Sequence, residues 1–137
     1  MILRLISRLS NTRKKEEREL ITWFEIPSND VSRAQKFYEY ILRIKMNYEE
    51  NEHYKTAFFP IYKDRIGGSI VQGPGYLPGG QGSKVFLNGH PDLQLILDRV
   101  EKAGGEILVP KSSIGKAGFF AWFKDSEGNK IALHSKK

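Results

Sequence analysis

One order of elements occurs twice in this chain, and that repetition limits what it can fold into. Ile21 to Ile26 is aromatic and β-branched and stops at Pro27, the pattern of a strand. Ser28, Asn29 and Asp30 offer helix caps, and Val31, Ala34, Phe37, Tyr38, Ile41 and Leu42 then recur at helical spacing. Three further strands are expected at Ile44 to Tyr48, Lys55 to Phe59 and Gly68 to Gln72. After the Gly/Pro-rich loop Gly73 to Gly82 the order restarts with a strand at Lys84 to Asn88. A second helix opens at Pro91 and Asp92, carries Leu93, Ile96, Leu97 and Val100, and closes at Gly104 and Gly105. Strands follow at Glu106 to Val109, Gly118 to Phe123 and Lys130 to His134. The fold class is therefore α+β: two βαβββ modules, 20–73 and 83–137, joined by a linker at 74–82. A repeated unit of this size lacks a complete core alone, so the two must pack together as one domain, 20–137.

Composition narrows the function classes. The 137 residues are 39% hydrophobic and 28% charged, a balance that folds. No apolar run approaches the roughly 18 residues of a membrane span. Cysteine is absent, which excludes disulfides, thiolate nucleophiles and cysteine-ligated metal centres. With no secretory signal either, a cytoplasmic protein is expected. The net charge is +6, but half of that excess lies in residues 1–19, where Arg4, Arg8, Arg13, Lys14, Lys15 and Arg18 face Glu16, Glu17 and Glu19. The body is only mildly basic with mixed signs, which argues against a nucleic-acid partner. Residues 1–19 read as a poorly ordered basic extension, too short and interrupted in its apolar run for a secretory signal.

Three segments carry a family resemblance. Asp30-Val31-Ser32-Arg33-Ala34-Gln35-Lys36-Phe37-Tyr38 opens the first helix. Asp92-Leu93 followed by Arg99-Val100-Glu101-Lys102-Ala103-Gly104-Gly105 frames the second. Phe123-Lys124-Asp125-Ser126-Glu127-Gly128-Asn129-Lys130-Ile131 forms the closing hairpin. In this order, within a doubled βαβββ unit, they resemble the glyoxalase/bleomycin-resistance/dioxygenase superfamily, the vicinal oxygen chelate fold. The resemblance spans residues 20 to 137. It implies a partly open eight-stranded barrel around a cavity, and chains that commonly pair as homodimers. Ser126 replaces the usual proline of the hairpin. Arg43 stands where a glycine usually follows the first helix, which leaves that helix's stop open.

Metal-dependent members of that superfamily carry His or Glu on inward faces of four strands. Here the first position falls on Trp23, the second within Gly68 to Ile70, the third on Val85 or Phe86, and the last on Ala132. None offers a lone pair suited to a divalent cation, so no metal and no other cofactor is expected. Strand alternation puts Glu25 on the same face as Trp23, Asn88 on that of Phe86, and His134 on that of Ala132. The expected ligand-binding set is Trp23, Glu25, Phe86, Asn88, Trp122 and His134. Glu25 and His134 are the candidate catalytic pair, since a carboxylate near an imidazole can do acid–base work. Three readings stand: a metal-independent small-molecule-binding protein, a lyase or isomerase of the glyoxalase type, and a dimeric interaction module with a filled cavity.

Overall fold

The computed structural model describes residues 17–137. Of the basic extension read at residues 1–19, residues 1–16 therefore lie outside the described residues. The order is β1 (Trp23–Pro27), α1 (Val31–Leu42), β2 (Asn47–Glu50), β3 (Lys55–Phe58) and β4 (Gly67–Gln72). The second half gives β5 (Phe86–Asn88), α2 (Leu93–Val100), β6 (Glu106–Ser113), β7 (Phe119–Lys124) and β8 (Lys130–Ser135), with a 3-10 turn at Gly115–Ala117 before β7.

Each module forms a four-stranded sheet of the same topology, β1-β4-β3-β2 in the first and β5-β8-β7-β6 in the second. The opening strand of each runs parallel to the last strand of its module, and the other pairings are antiparallel. The sheets do not close on each other, so the eight strands form a partly open structure. One core serves both modules. Ile26, Phe37, Tyr38, Ile41 and Ile70 from the first meet Leu93, Leu97, Phe123 and Leu133 from the second. Neither set of apolar faces would be covered without the other.

The helix ends follow from local chemistry. Asp30 is extended, and its carboxylate accepts from the Arg33 amide at 3.1 Å; Asp92 does the same for Gln94 at 2.9 Å. Helix α1 stops at Arg43, which takes the left-handed conformation at φ 55° without being glycine. A side chain there costs about 1 kcal/mol. Two contacts act against that cost: Arg99 Nη1 donates to the Ile41 carbonyl at 3.0 Å, and the Arg43 guanidinium lies 4.8 Å from the Tyr40 ring centroid.

Strands β1 and β5 begin two residues later than expected, and two others depart further. The strand expected from Ile44 begins only at Asn47. Glu39 accepts from the Met46 amide at 2.8 Å and Gln35 donates to the Met46 carbonyl at 3.2 Å, so side chains of α1 hold this backbone instead of a sheet partner. Strand β6 runs to Ser113, four residues past the expected Val109. It absorbs Pro110 through register shifts on either side of Val109, since proline has no amide to give the ladder.

The turn between β7 and β8 fastens the modules. Asp125 is 3% exposed and accepts from the Tyr38 hydroxyl at 2.7 Å. Asn129 Nδ2 donates to the Pro27 carbonyl at 2.8 Å. The Glu127 carboxylate accepts from Ser28 Oγ at 2.9 Å, from the amides of Asn29 and Asp30, and from Arg33 Nε at 2.8 Å. Burial acts to raise the Glu127 pKa, but bonds from Arg33, Ser28 and Ser126 outweigh it and the net shift is downward. Asp125 moves upward, with burial the dominant cause. Two of the three segments that carry the family resemblance thus bond to each other, as parts of the scaffold.

Candidate functional site

Side-chain alternation in β1 turns Phe24 and Ile26 to the core and leaves Trp23 and Glu25 on the open face. In β5, Leu87 packs on the core while Phe86 and Asn88 are exposed. Trp23 and Phe86 are 36% and 48% exposed, large apolar side chains presented outward on both sheets.

The first sheet's open face holds a hollow of about 300 Å³ lined by Trp23, Glu25, Tyr54, Phe58, Ser69 and Tyr76, with Asn51, Thr56 and Val71 completing it. Glu25 supplies its only carboxylate. The Tyr76 hydroxyl donates to Glu25 Oε1 at 2.6 Å. That bond, followed by desolvation, raises the Tyr76 pKa above its ordinary value, so the phenol stays a donor at neutral pH. Edge-to-face contacts set the walls: Trp23 on Phe58 at 6.0 Å and Tyr54 on Tyr76 at 5.9 Å between ring centroids. Tyr76 comes from the Gly/Pro linker, which Gly73 at φ 154° and Gly75 at φ 87° bend and the Asn129 side chain tethers at the Gly79 amide.

The second sheet holds a separate hollow of about 560 Å³ lined by Phe86, Asn88, His90 and His134, with Leu87, Ser135 and Lys136 at its margin. His134 Nε2 lies 2.7 Å from the Ala117 carbonyl; a carbonyl can only accept, so Nε2 donates and Nδ1 is the ring nitrogen left to accept. Asn88 Oδ1 accepts from the His90 amide at 2.9 Å, a local turn ahead of α2. Trp122 lines neither hollow. It lies beneath two ammonium groups, Lys84 Nζ at 3.5 Å and Lys130 Nζ at 5.7 Å from its ring centroid, and beside Phe120.

The structure therefore brings Trp23 and Glu25 together, and separately Phe86, Asn88 and His134. Among the described residues no hydrogen bond or ion pair joins Glu25 to His134; the first is engaged by Tyr76 and the second by Ala117. Sequence reasoning missed Tyr76 and Tyr54. The available signal was a lone tyrosine inside the loop GPGYLPGGQG, where Gly and Pro account for the turn but not for an aromatic.

The strand positions that the family resemblance assigns to metal ligands carry side chains that do not suit a divalent cation. Trp23 pairs with Gly67 and Glu25 with Ser69 across β1 and β4, and Phe86 pairs with Ala132 across β5 and β8. Indole, phenyl and methyl groups supply no donor. Among the described residues no three His, Asp or Glu side chains converge as a metal site would require. No described helix is long and apolar enough to cross a membrane.

Solved structures share the fold. The hypothetical protein SA1046 from S. aureus is 16% identical with a TM-score of 0.62, over 88% of this chain and 98% of that one. A glyoxalase/bleomycin resistance protein from Albidiferax ferrireducens is 16% identical with a TM-score of 0.63, over 87% and 100%. The genomically encoded fosfomycin resistance protein FosX from Listeria monocytogenes is 16% identical with a TM-score of 0.64, over 88% and 94%. No curated protein matches the sequence. The sequence model of one family matches residues 20–133, and it agrees with the doubled βαβββ topology described above. This chain belongs to the Glyoxalase/Bleomycin resistance protein/Dioxygenase superfamily.

Proposed function

We propose that this chain is a metal-independent small-molecule-binding member of its superfamily, and that the ligand sits in the hollow of the first sheet. The observation that carries the reading is the Glu25–Tyr76 pair inside aromatic walls. Concave, mostly aromatic surfaces with one or two oriented polar groups are what small-ligand sites are made of. The lyase or isomerase reading needs Glu25 and His134 to serve one substrate, and their separate hollows and separate hydrogen bonds weigh against that. A second copy covering Trp23 and Phe86 would deepen the hollow, which favours a homodimer.

Two measurements test this. Native mass spectrometry of the purified protein is expected to show a copurifying small molecule that denaturation releases. Elemental analysis is expected to show no stoichiometric zinc, nickel, iron or manganese, and EDTA is expected to leave the melting temperature unchanged, because removing a bound ion lowers stability by mass action. An equimolar transition metal whose removal lowers that temperature would overturn the metal-independent reading.

A further inference from the structure

We infer that the hollow of the first sheet selects an organic cation, a substituted ammonium carrying an apolar body. The inference rests on the small-molecule reading above and specifies its ligand class. Glu25 is the single formal charge in that hollow, on a protein whose net charge is +6. Its Oε1 takes the Tyr76 hydroxyl at 2.6 Å, which orients the carboxylate and leaves its negative charge to face an incoming cation. The surrounding walls are the rings of Trp23, Phe58, Tyr54 and Tyr76. Aromatic faces attract cations through their quadrupoles, and the attraction strengthens as water is excluded.

Two lysines that share a cleft with Glu25 hold their ammonium groups against another side chain. Lys84 and Lys130 line the narrow cleft of about 90 Å³ that adjoins Glu25 between the modules. Their ammonium groups lie over Trp122, and among the described residues no ion pair reaches Glu25. Among the described residues the Glu25 carboxylate thus has no ion-pair partner, and four aromatic rings stand beside it. An anionic ligand would meet repulsion from Glu25, and a neutral one would leave the charge unanswered. The remaining polar groups, Asn51, Thr56 and Ser69, carry no charge and would meet hydroxyl or amide substituents on the ligand's body.

The test uses the full chain and three probes of similar size: benzyltrimethylammonium chloride, benzyl alcohol and sodium benzenesulfonate, each titrated calorimetrically at low ionic strength. The ammonium is expected to bind more tightly than the alcohol and the sulfonate not to bind. Glu25→Gln, which keeps the shape and removes the charge, is expected to weaken the ammonium about ten-fold or more while changing the alcohol little. Trp23→Leu is expected to weaken the ammonium more than the alcohol, a readout that does not depend on the carboxylate variant. Equal binding of ammonium and alcohol, with no effect of Glu25→Gln, would overturn charge selection and leave the small-molecule reading standing. No binding of benzyltrimethylammonium at millimolar concentration would overturn the cation proposal outright. The small-molecule reading fails separately, if no copurifying ligand is released from the native protein.

Discussion

Replacing Glu127 by alanine is expected to destabilise the protein by about 3 kcal/mol, a fall in melting temperature of about 10 °C for a domain of this size. The side chain is 0% exposed and receives Ser28 Oγ, two backbone amides at the start of α1 and the Arg33 guanidinium. Its removal leaves the buried Ser28 hydroxyl, two amides ahead of the helix and the Arg33 guanidinium without their common acceptor. The ion pair itself is the smaller part, because Arg33 is 54% exposed and its attraction is screened by water. Arg33→Ala should therefore cost only about 1 kcal/mol. Thermal melts of both variants decide the matter: equal losses would mean that the salt bridge, rather than the amide and hydroxyl bonds, carries the stabilisation.

The same carboxylate shapes the acid limb. Its pKa is depressed in the folded protein, so its contribution is complete above about pH 4.3, the ordinary glutamate value, and is lost as pH falls through the lower folded value. Asp125 has the opposite sign. Its folded pKa is raised, chiefly by burial, so protonating it as pH falls through that raised value favours the folded state. Glu127→Gln should flatten the stability loss at low pH and leave the Asp125 contribution in place.

Gly118→Ala is expected to be more costly still, about 4 kcal/mol with a fall in melting temperature near 15 °C. Gly118 has φ 108°, and a Cβ there would lie 2.2 Å from the Ser135 carbonyl oxygen and 2.9 Å from Lys136 Cα. Those are backbone atoms at the end of β8, which cannot swing aside as a side chain would. The neighbouring Gly115 makes the control. Its φ is 75°, but a Cβ would meet nothing within 4 Å, so Gly115→Ala should cost only the left-handed penalty of about 1 kcal/mol. Chemical denaturation of the two variants separates steric exclusion from backbone preference; similar losses would show that the close approach to β8 relaxes freely.

What was legible in the sequence follows the strength of each local signal. The helices announced themselves because Asp30 and Asp92 cap them and the apolar residues keep strict helical spacing. The two open faces were legible because alternation fixes sides: Trp23 with Glu25, Phe86 with Asn88. The long β6 was not, since Pro110 ordinarily ends a strand and only a bulge accommodates it. The delayed β2 depended on Glu39 and Gln35 reaching the Met46 backbone, a contact between side chain and main chain that periodicity does not encode. For the site, the face of each residue was readable but the partition between sheets was not. Which hollow His134 joins depends on how two sheets are set against each other. The part played by Tyr76 depends on the path of a loop whose glycines allow many.

The clasp at the β7–β8 turn also governs the order in which the protein can come together. Its bonds join residues 87 to 102 positions apart: Tyr38 to Asp125, Arg33 and Ser28 to Glu127, and Pro27 to Asn129. Such distant pairings slow folding, because the loop must close before any contact rewards it. On the ribosome the delay is literal. At about 5–20 residues per second, the partners of α1 emerge roughly 5–20 s after the helix itself. During that interval the Tyr38 hydroxyl and the amides of Asn29 and Asp30 lack the carboxylates that later receive them, and half of a shared core has nothing to cover it. The nascent first module is the stage at which a chaperone has most to hold.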